Sequence, residues 1–140
     1  RAGDTPMPSL PVVRDFMDTV VHTVKPEMPI LDAVDFLLEH HVTGAPVTDG
    51  EGKLIGMLTE KDCLRLLSSG VDGDVPRGTV RDYMTSKTDF VSPEMNVYYV
   101  AGLFLGANYR RFPVVEKGKL VGAITRFDIL RSIRKALKPQ

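Results

Sequence analysis

Two stretches of the chain, Val13 to Arg65 and Val80 to Arg131, carry nearly the same residues in the same order. Val13-Arg14-Asp15-Phe16-Met17 returns 67 positions later as Val80-Arg81-Asp82-Tyr83-Met84, and Gly52-Lys53-Leu54-Ile55-Gly56 returns 66 positions later as Gly118-Lys119-Leu120-Val121-Gly122. One single-residue gap reconciles the two registers. Both copies end in Thr-x-x-Asp, Thr59 to Asp62 and Thr125 to Asp128. A duplicated unit that cannot close its own core must pack against its twin. The expected body is pseudo-symmetric with a cleft between its halves, and function is sought in that cleft.

Each unit reads as strand, helix, strand, strand, helix, a mixed α/β (α+β) fold of two repeats packed sheet to sheet. In the first copy, Val13 to Met17 is a short helical turn and His22-Thr23-Val24 a short strand ended by Lys25-Pro26. Leu31, Val34 and Leu38 mark the core face of an amphipathic helix whose polar side carries Asp32, Asp35 and Glu39. Pro46-Val47 opens a strand, Asp49 to Gly52 is a hairpin turn, Leu54 to Leu58 is the return strand, and Thr59 begins a helix to about Ser68. The expected boundaries are an extended, proline-marked lead-in over residues 1–11, repeats over 12–69 and 79–140, and a linker over 70–78.

At 140 residues the chain fits one ordinary domain without staples. Its lone Cys63 allows no internal disulfide, which suits a reducing, cytoplasmic setting. Lysine plus arginine equal aspartate plus glutamate at 18 each, so no whole-chain field favours nucleic acid or anionic membrane. The charges at Arg131, Arg134, Lys135 and Lys138 read as favourable placement at a helix C-terminus. The apolar run from Val97 to Ala107 is far short of a membrane span, and no signal-like segment precedes the first repeat. His22, His40 and His41 lack ligand spacing, so no metal is expected. There is no P-loop, no dinucleotide fingerprint and no nucleophile with an evident base, which argues against an enzyme.

The copies diverge most in their first long helix. Asp32, Asp35 and Glu39 become Tyr99, Gly102 and Gly106 at the aligned positions. A helix apolar all round is normally buried on both sides, and two glycines four apart permit close approach of another helix. A tightly packed internal helix is one explanation. The favoured one is a homodimer interface on the face of Tyr99, Gly102 and Gly106.

Thr-x-x-Asp directly after a buried strand places a hydroxyl and a carboxylate on the first turn of a helix, where both can cap unpaired amides. Its repetition, together with the recurring segments Val42-Thr43-Gly44-Ala45-Pro46-Val47 and Tyr109-Arg110-Arg111-Phe112-Pro113-Val114, adds a second meaning. In this constellation the chain resembles a tandem cystathionine beta-synthase (CBS) domain pair, or Bateman module, over about Val12 to Lys135.

The resemblance implies a regulatory, non-catalytic module that needs no cofactor. It implies an adenosine-containing ligand, AMP, ADP, ATP or S-adenosylmethionine, in clefts between the repeats. Asp62 with Thr59 and Asp128 with Thr125 would be the ribose anchors, since a carboxylate accepts from two vicinal hydroxyls at once. Val24, Pro26, Ala45, Pro46, Val91, Pro93, Phe112 and Pro113 would line the base, although ordinary core packing explains them equally well. Phe112 could stack on adenine or plug the pocket.

Phosphate needs cations, and here the halves differ. Arg110, Arg111 and Arg126 stand near Thr125 and Asp128, whereas Thr43, Gly44 and Glu60 hold the aligned places and leave Lys61 alone. Arginine's planar fork suits phosphate oxygens, so the second copy is the better nucleotide site. The expected activity is ligand sensing, transmitted to a regulated protein partner or attached domain. The alternative is a ligand-free, dimerising scaffold for protein-protein interaction.

Overall fold

The structure, a computed structural model, describes residues 10–69 and 77–137. Most of the expected lead-in, the linker up to residue 76, and residues 138–140 lie outside these. The first copy comprises a 3-10 turn (Val13–Asp15), α1 (Ile30–His40), β1 (Gly44–Thr48), β2 (Leu54–Thr59) and α2 (Glu60–Ser69). The second repeats it as α3 (Val80–Tyr83), α4 (Val97–Gly106), β3 (Arg111–Glu116), β4 (Lys119–Thr125) and α5 (Arg126–Ala136).

Antiparallel β1–β2 and β3–β4 form two small sheets, joined at their tips where Leu54 N–H donates to Gly118 O at 3.2 Å and Leu120 N–H to Gly52 O at 3.0 Å. The expected leading strand of each copy shrinks to one residue: Val24 pairs in parallel with Val47, and Val91 with Val114. The single-residue gap falls in the hairpins. The second turns through Lys117 and Gly118, both at positive φ, as a two-residue loop requires. The first is one residue longer and is closed by the Asp49 carboxylate, which accepts from the Glu51 and Lys53 amides at 2.9 Å each.

On its far side each sheet pairs with the other copy. Met57 of β2 pairs with Thr85, and Ala123 of β4 exchanges both backbone hydrogen bonds with Asp18 at 2.9 Å. The cores follow the same exchange. Val13 and Phe16 lie in one cluster with Val91, Val100, Phe104, Phe112, Val114, Ile124 and Ile129. Val80 completes the cluster of Val24, Ile30, Ala33, Leu37, Ala45, Val47, Leu58 and Leu66. The recurring Val-Arg-Asp-x-Met segment thus packs into the opposite copy, and the second glycine of each Gly-Lys-Leu-x-Gly lets it approach. A β-carbon on Gly56 would meet Met84 Sδ at 2.8 Å, and one on Gly122 would meet the Asp18 carbonyl oxygen at 2.6 Å.

Two helices differ from expectation. In α1 the buried residues are Ile30, Ala33 and Leu37, while Leu31 and Leu38 are 42% and 68% exposed. Two adjacent apolar stripes share Val34, and at 3.6 residues per turn either satisfies the pattern; packing selects the Ile30 stripe. In α4, Val97, Val100 and Phe104 face the core, but Tyr98, Tyr99 and Leu105 are exposed, so this chain covers only one side of it.

Candidate functional site

Both Thr-x-x-Asp motifs sit where a return strand enters a helix. In α5 the Thr125 hydroxyl accepts from the Asp128 amide at 3.2 Å, and Asp128 Oδ2 accepts from the Thr125 amide at 2.9 Å. This reciprocal capping box satisfies two amides that the first turn leaves unpaired. The first copy repeats it, with Asp62 Oδ2 accepting from the Thr59 amide at 2.9 Å and from its hydroxyl at 3.0 Å. One oxygen of each carboxylate is therefore spent on folding.

The other oxygen faces different neighbours in each copy. Asp128 Oδ1 accepts from Arg131 Nη2 at 2.8 Å. Asp62 Oδ1 accepts from the Thr85 hydroxyl at 3.2 Å, with Arg65 Nη2 at 3.6 Å. Sequence reasoning missed this role of Arg65 and Arg131. The signal was present as Thr-x-x-Asp-x-x-Arg in both copies, but Arg131 was grouped with the positive charges at the helix end.

Pairing of Arg111 with Thr125 across β3–β4 brings that arginine alongside the helix N-terminus; the aligned pair is Gly44 with Thr59. Arg110, Arg111 and Arg126 are exposed, and Arg126 is steered by its Nε donating to the Tyr109 carbonyl at 3.1 Å. Lys61 is exposed on the first turn of α2. The Asp89 carboxylate, bonded to the Tyr109 hydroxyl, holds the phenol above its usual range. That contact ties the segment after Thr85 to the chain entering β3.

Two cavities of about 380 and 260 Å³ occupy equivalent places in the halves, and each is lined by both copies. The smaller is bounded by Thr19, Val21 and Thr23 against Leu120 to Gly122, with Lys25 and Thr48 at its edge; Lys25 Nζ donates to the Thr48 hydroxyl at 3.0 Å. The larger lies between Ser86 to Phe90 and Leu54, Val115 and Gly118. None of Val24, Pro26, Ala45, Pro46, Val91, Pro93, Phe112 and Pro113 lines either cavity; all eight are buried. Phe112 packs against Phe104 and Tyr109, ring centroids 4.7 and 5.2 Å apart, so its ring belongs to the core.

On the dimer face expected from the sequence, Tyr99 is exposed and a β-carbon at Gly102 or Gly106 would meet nothing within 4 Å. His22 and His40 stack at 3.9 Å beside Phe36. Among the described residues no three His, Cys, Asp or Glu side chains converge as a metal site, and no helix is long and apolar enough to cross a membrane. Burial pushes the Cys63 thiol up, away from reactivity at neutral pH.

Paired repeats with crossed entry segments, clefts lined by both copies and Thr-x-x-Asp at the start of each closing helix define a tandem repeat module. The chain belongs to the CBS domain family, whose pattern matches residues 13–69 and 80–135. Its fold is similar to that of CBSX2 from Arabidopsis thaliana, 30% identical, with a TM-score of 0.78 over 94% of this chain and 100% of that one. CBSX2 in complex with AMP superposes with a TM-score of 0.77 at 34% identity, covering 90% of this chain and 98% of that one. The CBS domain pair of protein MJ0100, in complex with 5-methylthioadenosine and S-adenosylmethionine, is 25% identical with a TM-score of 0.73, covering 91% and 99%. The CBS domain-containing protein YhcV of Bacillus subtilis is 34% identical over 118 residues, 84% of this chain and 81% of that one. Other curated relatives are much longer: the chain spans 41% and 15% of two that it matches.

Proposed function

We propose that this chain is a non-catalytic, cytoplasmic sensing module. It binds an adenosine-containing ligand between its two CBS copies, foremost beside Thr125 and Asp128, and transmits occupancy to a protein partner or attached domain. The observation that carries the reading is the cross-strand pairing of Arg111 with Thr125, which sets an exposed arginine opposite the residue that caps the helix bearing the buried carboxylate of Asp128. A carboxylate for a diol and a guanidinium for phosphate are the two complementary groups a nucleotide needs. AMP bound to CBSX2, and the adenosyl ligands of the MJ0100 pair, support the ligand class. Isothermal titration with AMP, ADP, ATP and S-adenosylmethionine tests it. Binding should occur and be weakened by Asp128→Ala; Arg111→Ala should weaken the phosphate-bearing ligands more than S-adenosylmethionine. No binding of any of the four at millimolar ligand refutes the reading.

A second reading, a dimerising scaffold with empty clefts, draws on the outer face of the helices. Leu105, Phe127 and Leu130 are 90%, 68% and 60% exposed in the single chain. Dimerisation through Tyr99, Gly102 and Gly106 is compatible with either reading. Ligand titration separates the two.

A further inference from the structure

In each copy one guanidinium nitrogen faces two acceptors, one three residues away on its own helix and one in the other copy's entry turn. Arg131 Nη2 donates to Asp128 Oδ1 at 2.8 Å and to the Phe16 carbonyl at 3.1 Å. Arg65 Nη2 lies 3.6 Å from Asp62 Oδ1 and donates to the Tyr83 carbonyl. Phe16 and Tyr83 are equivalent residues of the repeat, so the arrangement is made twice, crosswise. An arginine on the closing helix of one copy holds the entry turn of the other. A lone exposed arginine contact carries little meaning, but the same nitrogen in the same two roles at both copies is a built feature.

We propose that Arg131 is a positioning residue that couples occupation of Asp128 to docking of the Val13–Phe16 turn, Arg65 doing the same between Asp62 and Tyr83. The proposal rests on the nucleotide reading above. Asp128 Oδ2 is engaged by the Thr125 amide, so ribose hydroxyls reach chiefly Oδ1. There they compete with Arg131. Because the nitrogen on Oδ1 also holds the Phe16 carbonyl, weakening one contact weakens the other.

The turn so released carries Val13 and Phe16, both in the second copy's core, and runs directly into Asp18, paired with Ala123. Whatever precedes Val13 is attached to this turn, so a neighbouring domain or partner there would feel the site. Coupling of binding events is reciprocal: a ligand that loosens the turn binds more tightly once the turn is loose. The Asp128 copy is the more responsive. At Asp62 the Thr85 hydroxyl shares Oδ1, whereas the aligned residue of the other copy is Asp18, which has no hydroxyl to donate and whose Oδ1 accepts from the Val20 amide at 2.9 Å.

Amide hydrogen exchange of Asp18 and Ala123, followed by NMR on the full chain with and without AMP, tests the coupling. Without ligand, Arg131→Met should speed exchange at both amides roughly tenfold, as expected for loss of a charge-assisted hydrogen bond that holds a local unit closed. An Arg134→Met control should match the wild type. AMP should speed exchange in the wild type, have no further effect in Arg131→Met, and bind that variant more tightly because its competitor is gone. Arg131→Lys, which keeps the charge and loses the fork, should lie between and serves if Arg131→Met does not fold. Wild-type exchange in ligand-free Arg131→Met, or slowing by AMP in the wild type, overturns the coupling. Failure of AMP to bind the wild type overturns the nucleotide reading instead, and the ligand-free comparison still decides whether Arg131 holds the turn.

Discussion

Met17 lies on Gly122: its Sδ is 3.0 Å from where a β-carbon on that glycine would stand, and the neighbouring Asp18 carbonyl oxygen is at 2.6 Å. Met84 and Thr85 bear on Gly56 in the same way, at 2.8 and 2.9 Å. The two most conspicuous repeated motifs are therefore contact partners, each copy supplying one half of the other's contact.

Gly122→Ala should consequently destabilise the fold. The obstructing atom is a backbone oxygen in a strand pair and cannot swing aside, so the cost should fall within the roughly 1–3 kcal/mol of core overpacking. Urea unfolding measures it. Gly50→Ala, with open space around the glycine at ordinary φ, is the control and should change little.

Removing a capping hydroxyl tests the folding role of Thr-x-x-Asp separately from binding. Thr125→Ala should cost about 1 kcal/mol, the usual value of an N-cap, and Thr125→Ser should restore most of it. Denaturant midpoints of both variants without ligand give the comparison. No loss in Thr125→Ala would mean the cap is not contributing.

Gly102→Leu probes the outer face of α4. Exchanging glycine for leucine inside a helix raises helix propensity by somewhat under 1 kcal/mol, so the fold should survive while close helix approach is blocked. Light scattering should show dimers for the wild type and monomers for the variant, with unchanged circular dichroism. A dimeric variant would remove this face from the interface.

The first hairpin should respond to acid through Asp49. The Lys53 amide, followed by that of Glu51, bonds its carboxylate and lowers its proton affinity below the ordinary value of 3.8. A carboxyl depressed in the folded state contributes stability above the unfolded value and loses it as pH falls through the folded one. Wild type should thus be the more stable at neutral pH, and its advantage over Asp49→Ala should shrink below about pH 4. A difference independent of pH would show that the turn does not depend on the ionised form.

Local chemistry made much of the fold legible. Asp49 to Gly52 announces a hairpin because such a turn needs positive φ or a side-chain acceptor, and the register change between copies falls there and at the matching turn through Lys117 and Gly118. The helix starts at Thr59 and Thr125 are equally local, since cap and capped amide are three residues apart. The α1 face was not legible: Leu31 and Ile30 differ by one position, and periodicity cannot tell which of two adjacent stripes meets a sheet. The arginine contacts were hidden for a related reason, because the Phe16 carbonyl that Arg131 reaches is 115 residues away in the chain.

The sequence by itself determined that there are two like units, where their strands turn and their helices begin, and that Arg110, Arg111 and Arg126 accompany the second Thr-x-x-Asp where the first has Thr43, Gly44 and Glu60 at the aligned places. Each of these follows from residues close together or from comparing one copy with the other. Tertiary structure alone decided that each entry turn belongs to the opposite copy's core. It also decided which stripe of α1 is buried and which carbonyls Arg65 and Arg131 hold. Such choices depend on shape matching between distant segments, and similar copies offer the same apolar surface to themselves and to each other.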